Sequence, residues 1–343
     1  MGFRLYLIKR LINTAILLVF VIVLNFAIFE LLPGTQGSIA NLIQNPRVSP
    51  DSLKHLEIVY GICSGFDASG KCIPASVWTK FTVYFTRMIT FDFGTSQQTG
   101  DPVLYDIVNS GRLVNTLLLL GVSTAIALVI GIFLGVIAAS RRGGLFDSSS
   151  VVVSLTTYSL PTFFIGLVFI LVFAAILGWF PGGGVTPSTT EWIKGQVPLT
   201  EQILVRMKYL FLPALTLTMY FYGGNLLLTR ATMTEALTED YITTARAKGL
   251  PERTVLFKHA LKNASLPIVT NAALSFGTIL SAAIITETVF NWDGMGSWLF
   301  KAIGWHDFPV MQAVFYIIAL CVIGANLVSD ILYGMIDPRI KYE

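Results

Sequence analysis

Six long apolar stretches govern what this chain can become. They lie near residues 11–32, 113–139, 151–178, 211–229, 266–290 and 311–335. Each approaches or exceeds the roughly 20 mostly apolar residues that a helix needs to cross about 30 Å of hydrocarbon. Lipid offers no hydrogen-bond partner to exposed backbone, so such stretches must close their own bonds as helices. Strands of a membrane β-barrel would be about half this length and would alternate in polarity. Composition agrees: of 343 residues 54% are apolar and 13% charged, and mean hydropathy is +0.70. A soluble domain carries about 25% charged residues, so a soluble globular enzyme is disfavoured and a disordered chain is excluded. A net charge of +3 is too small for a nucleic-acid protein unless it is concentrated in one place, and three cysteines exclude a disulfide-dense scaffold. The expected fold is an all-α membrane protein with six transmembrane helices.

The first stretch is expected to stay as a helix, because Glu30, Leu31, Leu32 and Pro33 give no small-residue cleavage site. Basic residues set the orientation. With the N-terminus inside, the segments 1–10, 140–150, 230–265 and 336–343 hold 13 of the 23 Lys and Arg residues in 65 positions. The other 10 spread over about 130 positions, so N- and C-termini are predicted on the cytoplasmic side. The chain then reads as a cytoplasmic leader 1–10, a first span 11–32, an extracytoplasmic loop 33–112 and a five-helix core 113–343. Within that core lies an inner loop, 230–265. No soluble domain is expected at either end.

The outer loop opens with Pro33-Gly34. Its segment 76–91 spaces Trp78, Phe81, Tyr84 and Phe85 as an amphipathic helix on the membrane surface would, with ordinary loop packing as the alternative. Cys63 and Cys72 close a small Gly-containing loop, which favours a disulfide outside the membrane over two free thiols. Gly65, Gly70 and Lys71 spell a near phosphate-loop. Cys72 replaces its magnesium-binding hydroxyl, Pro74 follows where a helix should run, and no apolar strand leads in. Gly131 and Gly135, with Ala127 one turn earlier, suit close helix packing. Pro161, Pro213 and Pro267 fit helix entries or kinks.

Chemistry is sparse. His55, His259 and His306 all fall in loops, and there is no HExxH or CxxC pattern, so no metal site is expected. The acids near spans, Glu30, Glu287 and Asp330, sit towards helix ends rather than at the midplane, where an ion-coupled carrier would want them. The informative piece is the loop 230–265. Acids precede bases in its first half, which suits a helix dipole. Gly249 is placed to end a helix and Pro251 to start the next. The product is a helix–turn–helix elbow whose small residues Ala245, Ala247 and Gly249 would admit another protein. A solvated loop with incidental positive charge is the alternative.

The run Asp240-Tyr241-Ile242-Thr243-Thr244-Ala245-Arg246-Ala247-Lys248-Gly249, followed by Asn263-Ala264-Ser265-Leu266-Pro267, resembles the EAA loop of ABC-importer permeases. More narrowly, it resembles the dipeptide/oligopeptide/nickel family, first-subunit type. The basic leader from Arg4 to Arg10 agrees, as do Phe91-Asp92-Phe93-Gly94-Thr95-Ser96, Glu287-Thr288-Val289-Phe290-Asn291-Trp292-Asp293-Gly294-Met295-Gly296, Asp330-Ile331-Leu332-Tyr333 and Asp337-Pro338-Arg339. The Glu-Ala-Ala position is degenerate here, and the Cys63–Cys72 loop looks like an insertion.

The resemblance implies a type I ABC-importer permease fold and a non-catalytic subunit with no cofactor of its own, ATP and Mg being used by partner ATPases. It implies a homologous second permease, two cytoplasmic ATPases, an external substrate-binding protein and the lipid bilayer as partners. The coupling residues would be Glu239, Tyr241, Ala245, Arg246, Ala247, Lys248 and Gly249. Glu287, Asn291, Gly294 and Gly296 would shape the outer mouth. Peptides are the implied substrate, with oligosaccharide or nickel as family alternatives and an ATPase-independent secondary carrier as the rival mechanism.

Overall fold

The computed structural model describes residues 3–31, 49–59, 61–67, 69–189, 197–274 and 276–336. Pro33-Gly34 and Asp337-Pro338-Arg339 lie outside the described residues. Among the described residues, four helices are long and apolar enough to cross a membrane: Leu5–Leu31, Arg112–Ser140, Leu199–Ala236 and Phe308–Val328. A fifth crossing exists if the bent pair Leu145–Ser159 and Thr162–Ile176 counts as one span.

The stretch 151–178, read from sequence as one helix, is two helices set at 99°. Pro161 is the cause. It lacks an N–H and pushes its predecessor out of the helical region; Leu160 is extended, at ψ 137, and Pro161 caps the second piece. The stretch 211–229 belongs to a longer helix, Leu199–Ala236, with Pro213 inside it rather than at its end. At 1.5 Å per residue this helix is roughly 57 Å long. Its first turns carry Glu201, Arg206 and Lys208, so hydropathy alone missed them. The stretch 266–290 is helical on both sides of residue 275, over Leu261–Leu274, with Pro267 inside, and over Phe276–Val289, residue 275 lying outside the described residues.

Contacts divide the chain into two compact units. The first comprises Met1–Leu7, Val114–Ser297 and Ala325–Glu343. Here Gly131 and Gly135 face the helix Leu199–Ala236, and a Cβ at either would stand 2.6 Å from Asn225 Cβ or Thr229 Cβ. Lipid supplies no hydrophobic drive between helices, so this close van der Waals fit is what joins them. Gly223 gives the same service on another face, against the backbone of Ser154.

The second unit comprises Ile8–Leu113 and Trp298–Gly324. Ser76 caps the helix Val77–Ile89 by accepting from the Thr79 amide at 3.1 Å. The Phe81 and Tyr84 rings of that helix pack on Phe26 at 5.3 and 5.5 Å. Asp307 is buried, and its Oδ2 accepts from Ser96 Oγ at 2.6 Å and from the Gln97 and Gln98 amides at 3.0 and 3.3 Å, pinning the loop before Val103. Cys63 and Cys72 are joined as a disulfide across the two-stranded hairpin Cys63–Phe66 and Cys72–Pro74.

Candidate functional site

The elbow is built on a core it does not own. Helix Asp240–Ala247 is too short to bury much alone, but Ile242 and Ala245 on one face enter a buried cluster. That cluster takes Val136 and Ala139 from one long helix, Met233 and Ala236 from another, and Val255, Leu256 and Ala260 from the segment that follows. Gly249 ends the helix at φ +74, a conformation that only glycine adopts without strain. Pro251 then caps Glu252–Thr254, which continues through the π-helical turn Val255–Ala260 into Leu261–Leu274. The elbow is therefore the rigid end of the fifth apolar stretch, not a free loop.

Ala245 does not face outward as the sequence suggested: it is buried, and its small side chain serves the chain's own core. Tyr241 packs at the edge of the same cluster. Glu239 occupies the cap position, and Glu239, Arg246, Ala247, Lys248 and Gly249 are exposed. Arg246 donates to Glu252 through Nη2 at 2.7 Å and Nε at 3.2 Å, clamping the turn. That hydrogen-bonded guanidinium holds the Glu252 carboxyl below its ordinary range.

A second tie holds the same end of the unit. Arg230 makes a two-pronged ion pair with Asp147, through Nε and, at 2.8 Å, Nη2, while the Gly143 amide donates to Asp147 Oδ2 at 2.9 Å. The pair lies 83 positions apart in sequence, so nothing local announced it. Hydrogen bonds to charged groups contribute about 1.5–3 kcal/mol. Asp147→Asn is expected to lower stability by about 1–3 kcal/mol, read as a drop in Tm of the permease in detergent. Arg230→Gln added to it should cost less than its own single substitution, because the charge it would orphan is already gone.

Between the helices of this unit lies a cavity of about 680 Å³. Thr124, Tyr158, Tyr220, Asn225, Asn271 and Ile285 are among its lining residues. Tyr158 and Tyr220 stack at 5.5 Å. Thr124 Oγ1 is buried with no hydrogen-bond partner among the described residues, so it has donor and acceptor capacity to spare. The lining offers neutral polar groups and rings on an apolar wall, which suits holding a polar solute briefly. The bend at Pro161 forms part of this wall. Sequence reading passed over these residues; polar Thr124 and Asn225 inside apolar helices were the available signal.

The proposed outer-mouth residues are mostly interior. Glu287 is 0% exposed, and Gly294 and Gly296 are buried against it. Its carboxylate accepts from Thr116 Oγ1 at 2.6 Å and the Ser297 amide at 3.0 Å. Thr116 Oγ1 also accepts from the Met295 amide, and Trp292 Nε1 donates to the Asn115 carbonyl at 3.2 Å. Side chains at 294 and 296 would collide with this carboxylate, which explains both glycines. Asn291 alone is exposed, in the left-handed region at φ 44. The group is a buried lock between the second apolar stretch and the turn after the fifth.

Comparison with known proteins decides what such a chain is. Residues 131–342 match the family described as binding-protein-dependent transport system inner membrane component. The chain belongs to that family. The permease is 35% identical over 338 residues to the oligopeptide transport system permease protein AppB of Bacillus subtilis, covering 98% of this chain and 99% of that one. It is 35% identical to the di/tripeptide transport system permease protein DppB of Pseudomonas aeruginosa, with 94% of each chain covered. Against the glutathione transport system permease protein GsiC of Escherichia coli it is 33% identical, covering 98% of this permease and 99% of GsiC. Among solved structures, a chain of the MetNI methionine ABC transporter in an inward-facing conformation superposes with TM-score 0.51 at 18% identity, covering 65% of this permease and 93% of that chain. That likeness establishes the fold.

Proposed function

We propose that this permease forms one half of the membrane path of a type I ABC importer for peptides. In this reading the chain crosses six times and both termini lie in the cytoplasm; the bent pair at Pro161 is the third crossing and the helical segment 261–289 the fifth. The basic residues of the inner loops support this orientation, and so does the disulfide in the 33–112 segment, since disulfides persist on the oxidising side. The relatives named for oligopeptides, di- and tripeptides and glutathione support a peptide substrate. The other half is a homologous second permease, and an external binding protein delivers the solute. Two cytoplasmic ATPases bind and hydrolyse ATP with Mg.

One observation carries the mechanism: the elbow is fused to the ends of three long segments through one buried cluster while its outer face stays bare. A motor that grips Arg246, Ala247 and Lys248 moves those segments together. ATP binding closes the ATPase pair, and the permeases shift between inward- and outward-facing states because each state binds the motor differently. The neutral polar cavity holds the solute through the change. Glu287, Gly294 and Gly296 fix the outer turn from within, and Asn291 stands exposed on it.

Proteoliposomes holding the permease with its second permease, ATPases and binding protein are expected to accumulate labelled tripeptide only with ATP and Mg. Accumulation driven by an ion gradient in the permease alone would overturn the reading.

A further inference from the structure

The helix Val77–Ile89 presents an exposed face unlike that of a solvated helix. At about 100° per residue, Trp78, Phe85 and Ile89 fall within about 40° of one another. Trp78 is 72% exposed and Ile89 49%, with Phe85 half-buried between them. On one flank of this arc Tyr84 and Met88 turn inward and are buried. On the other flank run the exposed threonines Thr79, Thr82, Thr86 and Thr90. The hydroxyls of Thr82, Thr86 and Thr90 donate to the carbonyls of Thr79, Thr82 and Thr86, each at 2.9 Å. This stripe is the polar flank of the helix, with Thr86 about 80° round from Trp78.

The helix is also fixed in depth. Phe81 and Tyr84 pack on Phe26, which lies five residues before the end of the span Leu5–Leu31, or about 7 Å inside it. From Phe26 the rings continue outward through Phe81 to Trp78, 5.8 Å away. On the same span Phe20, Leu24 and Ile28 are exposed where lipid surrounds a crossing helix. The helix Val77–Ile89 packs on the other side of that span, through Phe26, near its end and so at the level where acyl chains meet headgroups. Tryptophan prefers that level, and Lys80 and Arg87, on the sides away from the arc, suit its polar edge.

We propose that the helix Val77–Ile89 is an interfacial anchor, lying in the membrane surface with Trp78, Phe85 and Ile89 against the acyl boundary. Only the choice of the outer leaflet rests on the topology proposed above. The anchor holds the hairpin Cys63–Pro74 and the loop after Ile89 at a fixed height over the bilayer.

The test is collision accessibility of spin labels in the assembled transporter in nanodiscs. Cys321→Ala removes the free thiol, and single cysteines are then placed by Trp78→Cys, Ile89→Cys or Thr86→Cys. Labels at 78 and 89 should relax strongly with oxygen and weakly with a polar nickel chelate, giving an oxygen-to-nickel ratio several-fold above that at 86. Equal ratios at the three positions would overturn the anchor. So would ready access of the nickel chelate to 78 that is lost only on adding the external binding protein, which would make this face a protein-docking surface. ATP hydrolysis stimulated by the peptide-loaded binding protein, measured on the same nanodiscs, separates this outcome from the transport reading, since the ratio does not depend on transport.

Discussion

Gly135→Val is expected to remove most of the folded permease from the membrane. A Cβ at Gly135 would stand 2.6 Å from Thr229 Cβ and 2.8 Å from the Leu226 carbonyl oxygen. The second of these is backbone of a 38-residue helix, which cannot step aside as a side chain can. One turn earlier Gly131 meets Asn225 Cβ and the Tyr222 carbonyl oxygen in the same way, so the two helices touch over consecutive turns. Overpacking in a core costs about 1–3 kcal/mol and sometimes more. Here the two axes must separate, which also loosens the core cluster around Val136, Met233 and Ala236 beneath the elbow. The effect should reach or exceed the top of that range. Gly121 supplies the control: it lies in the same helix with nothing within 4 Å of the added atom, and Gly121→Val should leave Tm and yield near those of the parent. Equal Tm and monodispersity for the two variants would show that the close approach does not hold the fold.

Local chemistry was legible in the sequence where a residue acts on its own neighbours. Gly249 ends its helix because its φ is positive, and Gly131 and Gly135 pack because they lack side chains. Pro161 fits a helix entry or a kink in the sequence, and in the structure it is both: after the extended Leu160 it opens the second helix, set at 99° to the first. Helix lengths were misjudged where charge interrupts hydropathy, as in the turns around Glu201, Arg206 and Lys208, which are helical all the same. What stayed hidden is long-range pairing. The resemblance makes Glu287 a mouth residue. Only Thr116, 171 positions away, and the Ser297 amide make it a buried acceptor. The cavity is hidden for the same reason, since Thr124, Tyr158 and Asn225 converge from separate helices.

The elbow offers the sharpest division between folding and coupling, because two alanines two residues apart point in opposite directions. Ala245 is buried beside Ile242, and Ala247 is exposed. Ala245→Leu adds three carbons to a packed cluster and should cost about 1–3 kcal/mol, with lower Tm and weaker uptake together. Ala247→Trp touches nothing in the lone chain and should change its stability by no more than about 0.5 kcal/mol. It does put a large ring at the centre of the face that the proposed coupling gives to the ATPases. Copurified ATPase and ATP-driven uptake should each fall at least about tenfold, equivalent to about 1.4 kcal/mol of lost association. The substitution leaves both partners of the half-exposed Arg246–Glu252 clamp in the chain. A dissociation of this kind, with full stability and lost coupling, is what a gripping surface predicts. Wild-type uptake by Ala247→Trp would mean that the motor holds this permease elsewhere.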